Sequence, residues 1–218
     1  MGARLEVVER RIASACAAAD RLRDEVLLLA VTKVFPAQVI LDAYALGLRE
    51  FGENYVQEFE GKAPLVRTLP EARFHLIGHL QTNKSRRAGE LFDAVQTVDT
   101  LKLARRLNEL GQPLEVMIEV KLSEESSKHG CDPRDLQALV QGIAGCPNLR
   151  LTGLMTMPPW NEDAELSRPY FRRLKELALA YGLQRLSMGM SHDLEVAIQE
   201  GSTMVRVGTA LFGSRRQA

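Results

Sequence analysis

A single lysine, Lys33, ends an apolar run that begins at Val26 and reads VLLLAVTK. An unbroken apolar run without helical spacing is typical of a buried parallel strand, and Pro36 suits the first turn of a following helix. Lys33 would then lie at the carboxyl end of the strand, where chemistry collects in α/β proteins. An ammonium held partly out of water has a lowered pKa and becomes nucleophilic, so Lys33 could form an imine with an aldehyde. The alternative is that this ammonium simply reaches solvent from the strand end.

A second group of residues, near the end of the chain, is suited to binding phosphate. Barrel enzymes often hold phosphate with the loops after strands seven and eight and with the N-terminus of a short helix. The hydroxyls of Ser191 and Thr209, the open backbone of Gly208 and a helix predicted to begin near Asp193 would supply these parts. Arg206 lies two residues before Gly208, on the same face of a predicted strand. The alternatives are that Ser191 is a plain helix N-cap and that Arg206 forms a structural ion pair.

Alternating strands and helices must position these two groups. The predicted strands cover residues 26–33, 50–54, 73–79, 94–98, 114–122, 149–157, 185–190 and 204–212. An amphipathic helix over 5–23 precedes them, and the predicted helices between them cover residues 36–45, 55–66, 85–90, 100–110, 133–145, 163–181 and 193–200.

About eight strand–helix repeats without a break in composition predict a single (β/α)₈ TIM barrel over residues 1–218, with an extra N-terminal helix. An open, doubly wound sheet is the alternative, but no GxGxxG motif follows the first strand. Closure of the barrel would place strand eight beside strand one. A phosphate bound after strand eight would then bring the rest of its molecule toward Lys33.

The composition excludes several classes of function. The 28 basic and 28 acidic residues give a formal charge of zero, which argues against a nucleic-acid partner. The three cysteines have no metal-binding spacing, and their odd number argues against a disulfide framework, so a reducing, cytoplasmic location is expected. Neither a signal peptide nor a membrane span is predicted.

Five segments of the sequence together point to one family. They read LLAVTK, FGENYVQE, FHLIGHLQTNK, GLMTM and LSMGMSHDLEVAIQEGSTMVRVGTALFG. They resemble the signature segments of the pyridoxal phosphate homeostasis proteins, single-domain relatives of the barrel of fold-type III alanine racemases. Pyridoxal 5′-phosphate (PLP) is an aldehyde that carries a phosphate ester, as the two residue groups require. The resemblance covers nearly the whole chain and implies a protein that stores, buffers or delivers PLP.

The same resemblance implies roles for individual residues. Lys33 would hold the cofactor as an imine, and Ser191, Gly208 and Thr209 would contact its phosphate. Asn54 and Met157 would flank the ring at the barrel mouth, and Arg206 would face the pyridine nitrogen. Most PLP enzymes place a carboxylate there, which keeps the nitrogen protonated and makes the ring a strong electron sink. An arginine cannot accept that proton, so racemase-like chemistry would be the most that the site permits.

Two other functions remain as alternatives to the carrier. The first is an amino-acid racemase or decarboxylase of the same fold type, which needs an acid/base group on each face of the substrate. Racemases of this fold type supply the second group as a tyrosine from a further domain of the partner subunit. The present sequence ends soon after the barrel, and its four tyrosines are predicted to lie on helices away from the mouth. The second alternative is a barrel without PLP that uses Lys33 as an aldolase-type Schiff base.

The remaining predictions concern partners and less informative residues. PLP-dependent apo-enzymes are expected to receive the cofactor, and the chain is expected to be monomeric. His75 is predicted to be a hydrogen-bonded core residue, whereas His79 and the loop 123–131 have no assigned role. His192 has none either.

Overall fold

Eight parallel strands form a closed barrel in the computed structural model, which describes residues 1–123 and 129–213. Each strand is hydrogen-bonded to its neighbours in chain order. The strands are β1 (Leu27–Val31), β2 (Glu50–Glu53), β3 (Arg73–Leu76), β4 (Ala94–Val98), β5 (Leu114–Glu119), β6 (Leu149–Met155), β7 (Arg185–Met190) and β8 (Met204–Val207). The predicted (β/α)₈ barrel is therefore confirmed, and the alternative of an open sheet is wrong.

The helices surround the barrel and bury their apolar faces against it. They are α1 (Gly2–Ala18), α2 (Ala37–Ala45), α3 (Val56–Val66), α4 (Ser85–Leu91), α5 (Leu101–Asn108), α6 (Leu136–Ala144), α7 (Arg168–Ala180), α8 (Leu194–Gln199) and α9 (Thr209–Phe212). The predicted extra N-terminal helix is α1, which buries Val8, Ile12 and Cys16. Its Arg11 pairs with Glu195 of α8 at 2.6 Å, so α1 packs beside the last repeats of the barrel.

Closure of the barrel pairs its first strand with its last strand. β1 and β8 are parallel neighbours, and the Cα atoms of Leu29 and Arg206 are register partners. A parallel sheet places the carboxyl ends of all its strands at one edge. The segments after β1 and after β8 therefore meet at the same mouth of the barrel, as the sequence predicts.

The main error in the predicted elements concerns strand eight. It ends at Val207 rather than at residue 212, and the apolar residues that follow form the short helix α9. The chain turns at Gly208, whose carbonyl accepts hydrogen bonds from the N–H groups of Leu211 and Phe212 at 2.9 Å. A short apolar run is compatible with either a strand or a buried helical turn, and Leu211 is fully buried in this turn.

The expectations about membrane spans, metal-binding groups and cysteines can be compared with the described part of the chain. No helix there is long and apolar enough to cross a membrane, and no group of three metal-binding side chains is present in it. Cys16, Cys131 and Cys146 are buried thiols without a disulfide. Residues 124–128, which belong to the loop 123–131, lie outside the described residues.

Candidate functional site

A cavity of about 640 Å³ opens at the carboxyl ends of the strands. Its volume is within the ~300–1,000 Å³ usual for small-molecule sites. All seven predicted site residues line it, namely Lys33, Asn54, Met157, Ser191, Arg206, Gly208 and Thr209. They come from the ends of β1, β2, β6, β7 and β8, so the barrel collects them from widely separated parts of the sequence.

Lys33 lies two residues beyond the end of β1 and lines the cavity. Its neighbour Thr32 is fully buried, and its other neighbour, Val34, has the unusual φ of 64°. Phe35 follows and packs on Phe212 of α9, with a ring-centroid distance of 5.5 Å. The loop that carries Lys33 is thus held between the barrel and the last helix.

The position of Ser191 depends on Gly189. Gly189 has a φ of 90°, and a Cβ added there would lie 2.5 Å from the Cβ of Ala197. Only glycine therefore fits this turn without rearrangement. The N–H of Met190 donates to the Asp193 carboxylate at 2.7 Å, which fixes the next residue. As a result the Ser191 hydroxyl faces α9 and accepts a hydrogen bond from the N–H of Ala210 at 3.3 Å.

Gly208 lets the ends of β8 and β1 approach each other closely. A Cβ added at Gly208 would lie 3.3 Å from the carbonyl oxygen of Val31 and 3.4 Å from its Cβ. Thr209 follows as the first residue of α9, and its side chain is exposed at the cavity. The Ser191 and Thr209 hydroxyls and the bare backbone of Gly208 therefore line one side of the cavity and could hold an anionic group there.

Arg206 is the buried cation of the cavity. It is only 3% exposed, and its Nη1 donates to the carbonyl and the hydroxyl of Ser187 at 2.7 and 2.8 Å. Its Nη2 donates to the carbonyl of Thr156 at 2.9 Å. Burial lowers the pKa of Arg206 to about 10, although the charges of Asp193 and Glu119 oppose this shift. Neutral oxygens thus hold the guanidinium in place, and it remains a cation at neutral pH.

A buried polar chain continues from Arg206 through the barrel interior. The Ser187 hydroxyl donates to Gln96 Oε1 at 2.6 Å, and Gln96 Nε2 donates to His75 Nδ1 at 3.0 Å. His75 Nε2 lies 2.5 Å from Glu50 Oε2. Since Nδ1 accepts from Gln96, Nε2 carries the ring hydrogen and donates it to Glu50. The prediction that His75 is a hydrogen-bonded core residue is correct. The series of hydrogen bonds from Glu50 through Gln96 to Ser187 orients Arg206 from the barrel interior.

Sequence reasoning did not identify Gln96 and Ser187. Both are fully buried, and each lies in a strand that is otherwise mostly apolar or small. A polar residue inside a buried strand was the available signal, because such a side chain requires a hydrogen-bond partner.

Asn54 and Met157 lie on other sides of the cavity mouth. Asn54 directly follows β2, and a Cβ added at the neighbouring Gly78 would lie 2.2 Å from the Asn54 carbonyl oxygen. This close contact holds the Asn54 backbone against the segment after β3. Two residues without a predicted role, His192 and Trp160, also line the cavity, and their rings are 6.2 Å apart.

The tyrosines are partly in a different place from the one predicted. None lines the cavity that contains Lys33, as expected. However, Tyr55 is the N-cap of α3 rather than a residue within the helix, and it lies at the barrel mouth. It lines a neighbouring cavity together with His79, whose ring stacks on that of His129 at 3.7 Å.

The donor set of the cavity fits an anionic aldehyde better than a metal ion or an acid/base pair. It combines a primary amine at Lys33, two hydroxyls and a buried guanidinium, and none of the lining residues that the structure describes is a carboxylate. Lysine reacts with aldehydes, and hydroxyl and guanidinium groups bind phosphate or ring nitrogen acceptors.

Comparisons with known proteins agree with a site for an anionic aldehyde. The family model described as "Alanine racemase, N-terminal domain" matches residues 9–216. The Pyridoxal phosphate homeostasis protein of Pseudomonas aeruginosa is 49% identical over 214 residues, covering 95% of this chain and 93% of that relative. PipY of Synechococcus elongatus, solved with PLP bound, is 39% identical with a TM-score of 0.81, covering 93% of this chain and 100% of PipY. The structure of PipY without PLP has a TM-score of 0.83, with coverage of 94% and 99%.

Proposed function

Because the chain belongs to the family of pyridoxal phosphate homeostasis proteins, we propose that it binds pyridoxal 5′-phosphate and stores, buffers or delivers this cofactor. Its relative PipY has been solved with PLP bound, and the two chains share the barrel over nearly their whole lengths. We place the cofactor in the cavity that contains Lys33. The whole chain then acts as a single PLP-binding barrel domain.

The convergence of seven residues on one cavity supports this proposal most directly. Lys33 follows β1, whereas Ser191 follows β7 and Thr209 follows β8, yet all three line the same space. The cofactor contributes an aldehyde that combines reversibly with a primary amine. Lys33 supplies this amine, and Ser191, Gly208 and Thr209 bind the phosphate.

The residues around the ring favour carriage over turnover. Arg206 would face the pyridine nitrogen of the bound cofactor, and because the guanidinium keeps its protons at neutral pH it would leave that nitrogen unprotonated. Asn54 and Met157 flank the ring. Among the described residues that line the cavity there is no tyrosine and no carboxylate, so the tyrosine that racemases of this fold type use on the second face has no counterpart among them. General acid/base groups contribute ~10² to 10⁴ in rate each, so we expect negligible racemisation or decarboxylation of amino acids.

Other parts of the proposal concern the cellular setting. Three buried thiols without a disulfide suit a reducing compartment, which favours the cytoplasm. We propose that PLP-dependent apo-enzymes accept the cofactor and that the chain acts as a monomer. The position of the cavity at the carboxyl ends of the strands supports such transfer, because an incoming amine could enter there.

The visible spectrum of the purified protein with PLP, before and after borohydride, tests the proposed function. We expect an imine band that borohydride removes, and mass spectrometry should place the reduced adduct on Lys33. Lys33→Ala should abolish this adduct without loss of the fold. Lys102→Ala, a change at an exposed lysine of α5, is the matched control and should retain the adduct.

Two results would contradict the proposal. A reduced adduct located mainly on another lysine would refute the assignment of Lys33. Amino-acid racemisation or decarboxylation near the usual enzymatic rates of ~1 to 10³ per second would instead favour the racemase or decarboxylase alternative.

A further inference from the structure

A buried lysine of α3, Lys62, lies directly beneath the loop that carries Lys33. It is 7% exposed, and its Nζ donates to the carbonyl of Thr32 at 3.0 Å. It also donates to Glu53 Oε1 at 2.8 Å and to Glu58 Oε1 at 2.6 Å. A lysine ammonium has three N–H donors, so all three are used. Lys62 is therefore committed to these partners and does not line the cavity.

The same cluster contacts the backbone on both sides of Lys33. Before Lys33, the Thr32 carbonyl accepts from Lys62, and the Thr32 hydroxyl donates to Glu53 Oε1 at 2.7 Å. After Lys33, the N–H of Val34 donates to Glu58 Oε1 at 2.5 Å. We refer to Glu53, Glu58 and Lys62 together as the Lys62 cluster.

The backbone at Val34 has an unfavourable conformation that this cluster stabilises. Val34 has a φ of 64°, a region that β-branched residues rarely adopt. Such strain persists only where the surroundings determine the conformation, and it occurs most often at functional sites. Packing does not explain it here, because the Val34 side chain is 51% exposed. Two hydrogen bonds hold this turn: the N–H of Phe35 donates to the Thr32 carbonyl at 3.2 Å, and the N–H of Val34 donates to Glu58 of the cluster.

Burial of the charged groups of the Lys62 cluster lowers the stability that the cluster can contribute to the fold. Glu53 is fully buried, and its Oε2 has no hydrogen-bond partner. Burial raises the pKa of Glu53, although the charge and hydrogen bond of Lys62 oppose the shift. Buried ion pairs often stabilise a fold less than apolar side chains of similar size. A role in orienting the adjacent residue accounts for such a cluster better than stability does.

We propose that Lys62, with Glu53 and Glu58, is a positioning residue that holds the Lys33 backbone so that the amine reaches the aldehyde of the cofactor. This inference rests on the proposed function. Imine formation replaces the aldehyde oxygen by the Lys33 nitrogen: one C=N bond forms and one molecule of water leaves. The step needs the amine at a defined distance and angle from the aldehyde carbon, and a misplacement of about 1 Å can cost ~10²-fold in rate.

The test compares two ligands that differ only in the reacting group. PLP forms the imine, whereas pyridoxine 5′-phosphate has the same ring and phosphate but an alcohol in place of the aldehyde. We expect Lys62→Met to slow imine formation with PLP by ~10-fold to 100-fold. Its affinity for pyridoxine 5′-phosphate should equal that of the wild type. Ser191→Ala should weaken the binding of both ligands, because it affects the phosphate.

A second pair of variants covers the case in which Lys62→Met does not fold. Glu58 is more exposed than Lys62, so its replacement disturbs the core less. Glu58→Ala removes the acceptor for the Val34 N–H and should slow imine formation. Glu58→Gln keeps an acceptor oxygen at this place and should restore most of the rate. Lys102→Met is the control for the loss of a lysine elsewhere.

The possible outcomes separate the two claims. If the wild type forms no imine with PLP, the proposed function fails. If the wild type reacts at Lys33 and both Lys62→Met and Glu58→Ala react at its rate, the positioning role is refuted. Equal weakening of PLP and pyridoxine 5′-phosphate would refute it too, since that result indicates general damage to the cavity.

Discussion

The double change of Ser191 and Thr209 to alanine tests where the phosphate binds. Both hydroxyls line the cavity at the ends of β7 and β8. The Ser191 hydroxyl is half-buried and accepts a 3.3 Å hydrogen bond from Ala210, whereas Thr209 is exposed. Replacement by alanine removes two potential donors to the phosphate and leaves the backbone of Gly208 and the Lys33 amine in place.

The expected loss of affinity follows from these surroundings. A hydrogen bond to a charged group contributes about 1.5–3 kcal/mol, and the partial exposure of both hydroxyls favours the lower end of this range. Two such bonds amount to roughly 3 kcal/mol, which corresponds to a loss in PLP affinity on the order of a hundredfold. Pyridoxal lacks the phosphate, so its weaker binding should remain the same.

Equilibrium titration followed by the imine absorbance measures both affinities in the wild type and in the double variant. Thr68→Ala, at an exposed threonine, controls for the loss of a surface hydroxyl. Equal weakening of PLP and pyridoxal would refute the reasoning, because the phosphate would then lie elsewhere. Unchanged binding of both ligands would refute it as well.

Two further predictions concern the buried polar groups of the barrel. Ser187→Ala removes a hydrogen bond to Arg206 and leaves Gln96 Oε1 buried without a donor, so it should lower the free energy of unfolding by about 2–4 kcal/mol. Urea unfolding should show that Gln96→Leu lowers the free energy of unfolding less in the Ser187→Ala variant than in the wild type. Equal losses in the two backgrounds would contradict the coupling. The pKa of Glu115 lies below its ordinary value, because hydrogen bonding from Arg73 and the charges of nearby arginines outweigh the opposing effect of burial. The contribution of Glu115 to stability is therefore present above ~pH 4.3 and is lost as the pH falls further. In urea unfolding, the loss of unfolding free energy caused by Glu115→Gln should be large at pH 7 and shrink below ~pH 4. A loss that is constant with pH would contradict this prediction.

Much of the fold follows from local patterns in the sequence. Apolar runs that alternate with amphipathic segments predict eight strand–helix repeats, and the closed barrel contains eight strands in chain order. Lys33 is recognisable because it ends such a run, and Gly208 and Thr209 because the sequence predicts them toward the carboxyl end of the last strand. The exact strand ends were less predictable, as residues 209–212 show, because a short apolar run fits both a strand and a helical turn.

The seven predicted residues that line the cavity could be assigned to the barrel mouth from the sequence, since parallel strands place their carboxyl ends at a common edge. Only the tertiary structure decided which buried polar groups pair behind that mouth. Ser187 and Gln96 are separated by 91 positions, and their hydrogen bond depends on the stagger of the strands around the barrel. Likewise, Lys62 meets Thr32 only because α3 packs beneath the loop after β1. Such contacts depend on angles and distances between elements, which the period of a sequence does not encode.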